Sequence, residues 1–423
     1  MYISEGGVNI MTRKIAVIGG GAAGMTAAIA AATHGAEVTV CEAGALPGKK
    51  LLSTGNGRCN LTNLRMKGDC FRSGRAGAAM EVIHGFDERA VLDWFEGMGV
   101  LCTDRDGYVY PRSGQASTVR EALEQEMRRR GVTLRTSTKV TALQHSPEND
   151  KYKMTLGAGM PLFADAVILA AGGKAAPATG SDGSGFALAA SLGHTVITPL
   201  PALVPLLSSQ RFFHKLHGVR VHGRVTLFAD RKKLAEDTGE IQMTEHGISG
   251  IPVFQVSRFA SQALATGKSV RAVLDFLPEL SEEAWRARLE RFAREQREMT
   301  VFTFLHGLFP DKLCRVLLER VCCREDLPLG ELDAGRRGEL ARLVRRFDVA
   351  IQGTGSFEQA QVTAGGVSVR ELDMRTMESR LHPGLYFAGE VVDVDGICGG
   401  YNLQWAWSSG HIAGAAAAGG EYI

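Results

Sequence analysis

The segment that most constrains this chain is the short run Lys14–Ile18, which enters Gly19-x-Gly21-x-x-Gly24 and then an alanine-rich stretch. The run reads as a buried parallel strand, and Ala22–His34 as a helix stopped by Gly35. A strand that passes into a helix over three glycines is the start of a βαβ unit. Gly19 permits the tight turn, Gly21 lets a pyrophosphate approach the backbone, and Gly24 lets the helix pack on the strand. The helix N-terminus offers N–H groups and a positive dipole end to the phosphates. A second strand, Glu37–Cys41, leads to Glu42, 18 residues past Gly24, where a carboxylate can accept from ribose hydroxyls. The segment is predicted to hold a dinucleotide. The competing reading is a glycine-rich turn in an ordinary α/β domain.

Composition bounds the rest. A chain of 423 residues, 45% of them hydrophobic, has material for two or three packed domains. A net charge of +2 does not by itself imply a polyanionic partner. The eight Cys form no C-x-x-C pair, so neither a dithiol centre nor a metal site is expected and the thiols are read as reduced. No run of 18 apolar residues suggests a membrane span. Met1–Ile10 lack a signal-peptide pattern and read as an upstream start or a disordered leader. The expected location is the cytoplasm.

Further along, Asp87–Gly97 reads as a helix capped by Asp87. Ser117–Arg130 reads as an amphipathic helix on Val119, Leu123 and Met127. Ala166–Ala171 reads as another apolar strand. From about 195 to 275 the pattern alternates with period two, favouring an antiparallel sheet or small barrel, interrupted by a helix near Ile251–Ala265. Residues 281–346 are helical and arginine-rich, with 13 Arg and one Lys against 12 acids. The expected fold is α/β: a Rossmann-like nucleotide-binding domain in two segments, 11–194 and 361–423. Between them lie an inserted antiparallel β domain (195–280), a helical subdomain (281–346) and a return segment (347–360).

Three observations favour FAD over NAD. Gly48–Asn63 supplies amides and hydroxyls directly after the second strand, where a flavin's pyrophosphate and ribityl chain would run. Ala170-Ala171-Gly172-Gly173 ends a strand at the same face. Gly389-Glu390 ends a late strand, and Gly399-Gly400-Tyr401-Asn402 opens the last helix, whose N–H groups could meet the flavin N1/O2 edge. No second complete G-x-G-x-x-G exists. Gly180–Gly185 has the wrong spacing and reads as a helix cap, so NADH or NADPH would visit only transiently as electron donor.

The stretch Ser53-Thr54-Gly55-Asn56-Gly57-Arg58-Cys59-Asn60-Leu61-Thr62-Asn63 resembles the "GGGRCNxTN" signature of the YhiN/BaiN-like flavoproteins. Thr244–Gly250, Val362–Val367, Gly389–Gly396 and Gly399–Ala406 resemble further motifs of that family, so the likeness runs from about Arg13 to the C-terminus. Asn56 stands where the family usually has glycine. The resemblance implies an FAD-dependent oxidoreductase. The phosphate and adenosine end of FAD would be held by Gly19, Gly21, Ala23, Gly24, Glu42, Ala43 and Val140. Lys50, Ser53, Gly55, Arg58, Cys59 and Asn60 would follow, with Ala171, Gly172, Gly389, Glu390, Asp395, Gly400, Asn402 and Leu403 at the closing end.

The family implies reduction of an activated C=C bond by hydride from flavin N5, with a steroid or bile-acid enone as substrate and a nicotinamide-fed reductase expected in preference to an oxidase. It also includes ribosomal RNA dihydrouridine synthases and an aminoacetone oxidase, and a flavoprotein without turnover is a further alternative. A small-molecule substrate is expected, with RNA as the other partner considered. His246, in a glycine-flanked motif, is a candidate proton donor. Arg112, after Pro111, is a candidate for polarising a carbonyl. Both histidine and arginine have ordinary structural or surface readings at such positions. Cys398 reads as a small buried thiol rather than a nucleophile. The mixed charges of 281–346 read chiefly as a solvated face of ion pairs.

Overall fold

The computed structural model describes residues 12–146 and 151–420; the expected leader Met1–Ile10 lies outside them. The contacts divide the chain into two compact units, one ending at Pro199 and resuming at Val362, the other Leu200–Gln361.

The first unit is built on a seven-stranded sheet. Strand Lys14–Ile18 lies in its interior, parallel to Glu37–Cys41 on one side and Ala166–Leu169 on the other. Thr133–Arg135 extends the sheet in parallel beyond Glu37–Cys41, and Leu385–Phe387 beyond Ala166–Leu169. An antiparallel pair, Glu378–Ser379 with Leu372–Asp373, closes the far edge. The central strands are continuous apolar runs because both sheet faces are covered. Strand Leu385–Phe387 comes from the C-terminal segment, so the fingerprint strand needs both ends of the chain for its sheet to be complete.

The helix Ala22–Thr33 is buried almost all round, from Ala23 to Ala31. A helix apolar on every side belongs inside a domain, and here its outer face is covered by the last helix, Tyr401–Ala417. The two backbones approach closely. A Cβ placed on Gly410 would run into the Ala23 carbonyl, and one on Gly414 into the Ala27 carbonyl. The last helix also buries Trp405 and Trp407, whose indole N–H groups donate to the Gly389 and Leu61 carbonyls at 3.0 and 2.9 Å. His411 stacks on Phe86 at 4.0 Å, and burial pushes its pKa down to about 4.

The second unit carries the other seven-stranded sheet, antiparallel throughout, centred on the long pair Arg220–Ala229 and Lys232–Thr244. Its two end strands, Phe347–Ile351 and Gly353–Thr354, are separated in sequence only by Gln352. One kinked strand thus pairs at both ends of the order, curling the sheet into a small barrel. Helix Ile251–Ala265 packs on the long pair. Residues 281–346 form four helices, Glu282–Glu295, Val301–His306, Asp311–Arg320 and Ala334–Arg345, around Trp285, Leu313 and Leu317. Among the described residues no helix is long and apolar enough to cross a membrane.

The helix contact generates a test. Alanine is the better helix former by about 1 kcal/mol, yet Gly414→Ala is expected to destabilise the protein by about 1–3 kcal/mol through overpacking. Urea unfolding checks this, and an unchanged or raised midpoint would show that the two backbones do not need the glycine.

Candidate functional site

At the first turn, Gly19 has φ +105° and a Cβ there would strike the Ala170 carbonyl; a Cβ on Gly24 would strike the Gly19 carbonyl. Around Gly21, in contrast, an added Cβ meets nothing within 4 Å. The turn is therefore closed against its own fold and open where a pyrophosphate would lie. Helix Ala22–Thr33 begins at Gly21 with no side-chain cap and no acid in its first turn. Its leading amides suit an anion. Glu42 accepts from the Gly20 N–H at 2.7 Å and the Gly44 N–H at 2.6 Å. The carboxylate pins the glycine turn, and each oxygen retains a lone pair that a hydroxyl could use. Ala43 is exposed beside it. The Glu42 carbonyl accepts from the Thr138 N–H at 2.8 Å, which brings the buried start of strand Val140–Ser146 next to this end.

Gly48–Asn63 contains a kinked 3-10 segment, Leu51–Gly57. Gly55, Asn56 and Cys59 have φ of +56°, +55° and +58°. Asn56 occupies a left-handed position, and asparagine is among the few residues that tolerate it, which accounts for its standing in for glycine. Ser53 Oγ donates to the Lys50 carbonyl at 2.8 Å. The Arg58 guanidinium lies over the Tyr110 ring at 5.3 Å. With its amide turned to satisfy both partners, Asn60 donates to the Val109 and Thr62 carbonyls and accepts from the Gly400 N–H. Cys59 is wholly buried, and burial pushes its thiol up to about 12, so the thiol stays protonated.

The closing segments are tied to this loop by polar contacts. Lys50 Nζ meets Glu390 Oε2 at 2.7 Å, with both side chains about three-quarters covered. Glu390 Oε1 accepts from the Thr363 N–H at 2.8 Å. Thr363 Oγ1 accepts from the Lys174 and Ala175 N–H groups at 2.8 and 3.0 Å, just beyond Ala171-Gly172-Gly173. Gly389, with φ +74°, donates to Ser409 Oγ at 2.9 Å. At the head of the last helix, Gly400 has φ +95° and no side-chain cap follows. Asn402 accepts from the Gly396 N–H at 2.8 Å and donates to the Gly396 carbonyl at 2.9 Å. Its side chain thus closes the turn. Asp395 pairs in strand register with Arg72, and Leu403 is half-buried in the first helical turn.

Thr363, Ser409 and Trp405 were assigned no role by the sequence, although Thr363 lies within the motif Val362–Val367. The amides that Thr363 holds are distant in sequence, and the contacts of Ser409 and Trp405 to Gly389 depend on how the last helix folds back on that turn. Gly183 is left-handed and opens helix Ser184–Ser191, as a cap does. His246 lies in the second unit, exposed, its ring 6.3 Å from His214. Arg112 is exposed just past strand Tyr108–Pro111. In the arginine-rich helices, Arg286 pairs with Glu282, Arg337 with Glu290, Arg345 with Asp275, and Arg315 with Asp311 and Glu325. Among the described residues no group of three His, Cys, Asp or Glu could hold a metal ion.

A family described as "HI0933-like protein Rossmann domain" matches residues 13–416. A 3-dehydro-bile acid delta(4,6)-reductase from Clostridium scindens is 45% identical over 407 residues, covering 96% of this chain and 99% of that protein. A ribosomal RNA dihydrouridine synthase from Escherichia coli is 30% identical over 93% of this chain and 95% of its own length. Its counterpart from Haemophilus influenzae is 27% identical over 93% and 96%.

Removing the Thr363 hydroxyl should loosen the site. Thr363→Val leaves two amides without their acceptor, at about 1–3 kcal/mol each if they stay dry. It is expected to lower the melting temperature and to weaken FAD retention measured by flavin fluorescence, while Thr363→Ser retains both. Equal flavin affinity in Thr363→Val and the parent protein would contradict this role.

Proposed function

The chain belongs to the HI0933-like Rossmann family and is an FAD-dependent oxidoreductase; we propose that it reduces an activated C=C bond conjugated to a carbonyl, in a steroid or bile-acid enone. The observation that carries this reading is the 45% identity, spread over nearly the whole of both chains, with the 3-dehydro-bile acid delta(4,6)-reductase. Bound FAD supplies hydride chemistry at its N5 atom.

The residues of this chain would do the rest. The first-turn amides of Ala22–Thr33 bind the pyrophosphate, and Glu42 orients the ribose. The backbone of Ser53–Asn60 flanks the ribityl chain, with Lys50 and Glu390 joining that loop to the closing segment. The uncapped N-terminus of Tyr401–Ala417 is assigned to the N1/O2 edge, where its dipole favours the negative charge of the reduced ring. NADH or NADPH is proposed as a transient donor, because the chain carries a single dinucleotide fingerprint.

Uracil reduction in ribosomal RNA is the second reading, favoured by the full-length likeness to the dihydrouridine synthases. Arg286, Arg315, Arg337 and Arg345 are each paired with a carboxylate, which reduces the positive charge those helices offer to a phosphate.

Anaerobic reduction of the purified flavoprotein by NADH or NADPH, followed by mixing with a 3-oxo-Δ4,6 bile acid, uridine-containing RNA or oxygen, separates these readings. Fast flavin reoxidation by the dienone is expected. Reoxidation by RNA or oxygen alone would overturn the proposal.

A further inference from the structure

We propose that Tyr108 and Tyr110 form the polar wall of the substrate site, and that the Tyr108 hydroxyl donates a hydrogen bond to the carbonyl oxygen of the enone. The inference rests on the enone-reductase reading and assigns a catalytic contact within it.

Strand Tyr108–Pro111 pairs with Thr62–Asn63 on one side and Cys102–Arg105 on the other. Alternation along a strand puts Tyr108 and Tyr110 on one face and Val109 on the opposite one. Val109 is 1% exposed and Tyr108 37%. The tyrosine face meets both glycine turns assigned to the flavin. A Cβ on Gly399 would lie 2.6 Å from Tyr108 Cε1, and one on Gly55 would lie 3.5 Å from Tyr110 Cε1. Asn63, opposite Tyr108 in the ladder, donates to the Gly399 carbonyl at 2.9 Å and holds that turn against the strand. Glycine is thus required at Gly399 for the Tyr108 ring to rest on it.

Tyr152 and Tyr401 spend their hydroxyls on the Pro383 and Arg65 carbonyls. Among the described residues the Tyr108 and Tyr110 hydroxyls have no such partner. Burial, with a lesser contribution from Cys398, raises the Tyr108 pKa above its ordinary value, so the phenol is a neutral donor at physiological pH. Arg112 lies beyond the end of the strand, and no contact among the described residues links it to either turn.

The chemistry requires such a donor. Hydride, carrying two electrons from reduced flavin, bonds to the substrate β-carbon. The C=C pair moves to the α-carbon–carbonyl carbon bond, and the carbonyl π pair moves onto oxygen, giving an enolate. A hydrogen bond from Tyr108 stabilises that oxyanion as it forms. A proton then bonds to the α-carbon and restores the carbonyl. Tyr108 keeps its own proton throughout.

The test uses the holoprotein with a 3-oxo-Δ4,6 bile acid as probe. Tyr108→Phe removes only the hydroxyl and leaves the ring on Gly399. It is expected to slow reoxidation of the reduced flavin by the probe by about 10²–10³-fold, the usual cost of losing one oxyanion donor, with reoxidation by oxygen unchanged. In the oxidised protein, the ultraviolet band of the bound dienone should shift to the red in the parent and lose that shift in Tyr108→Phe. Were that variant to lose its FAD, a fluorinated tyrosine placed at position 108, being more acidic, should enlarge the shift. An unchanged rate and an unchanged band in Tyr108→Phe, or no response to the fluorinated residue, overturns the assignment while leaving the enone reading intact. A parent protein inert to the probe overturns the enone reading itself.

Discussion

The contact on which the first unit depends is the backbone-to-backbone approach of its first and last helices. Gly410 and Gly414, one turn apart, let Tyr401–Ala417 lie against the Ala23 and Ala27 carbonyls. Small side chains on both partners make the approach close, and dispersion over that length is large in sum. The alanine-rich composition of Ala22–Thr33 follows from this contact. An isolated helix of this length is marginal in water, so packing rather than propensity holds it. With the last helix in place, Leu385–Phe387 completes the parallel sheet and the Gly389 loop is gripped by Ser409 and Trp405.

That closure sets the electrostatics of the site. Two uncapped helix N-termini, at Gly21 and Gly400, belong to one unit, with no acid in the first turn of either helix. One suits a pyrophosphate and the other a reduced isoalloxazine. Between them runs a chain of polar contacts from Lys50 through Glu390 and Thr363 to the amides after Gly173. Each member is satisfied by a neighbour on a different segment, so the four loops are held to one arrangement before any ligand binds. Such preorganisation lowers the ordering cost of binding.

What could be read directly from the chain was what is local. The fingerprint, its strand and helix, and the acid after the second strand depend on residues within thirty positions of one another, and their spacing carries the geometry. The Ser53–Asn63 signature was equally legible, because left-handed positions select glycine and asparagine. Thr363 was not, since the amides it holds lie 189 and 188 residues away. That the Asn402 amide also closes the turn onto Gly396 and Ile397 is visible only in the folded chain. The glycines of the last helix are compatible with several readings until the first helix is laid against them. Period-two patterning in the second unit left an antiparallel sheet and a small barrel both open, because it shows strands but not their order; the junction at Gln352 decides it.

The role proposed for the last helix, brought in by its glycines, is to turn its positive end to the flavin ring and favour the reduced anion. The midpoint potential of bound FAD, set against that of free FAD in the same buffer, tests it most directly. A higher potential for the bound cofactor and an anionic two-electron reduced form at neutral pH are expected. A potential at or below that of free FAD, with a neutral reduced form, would contradict it.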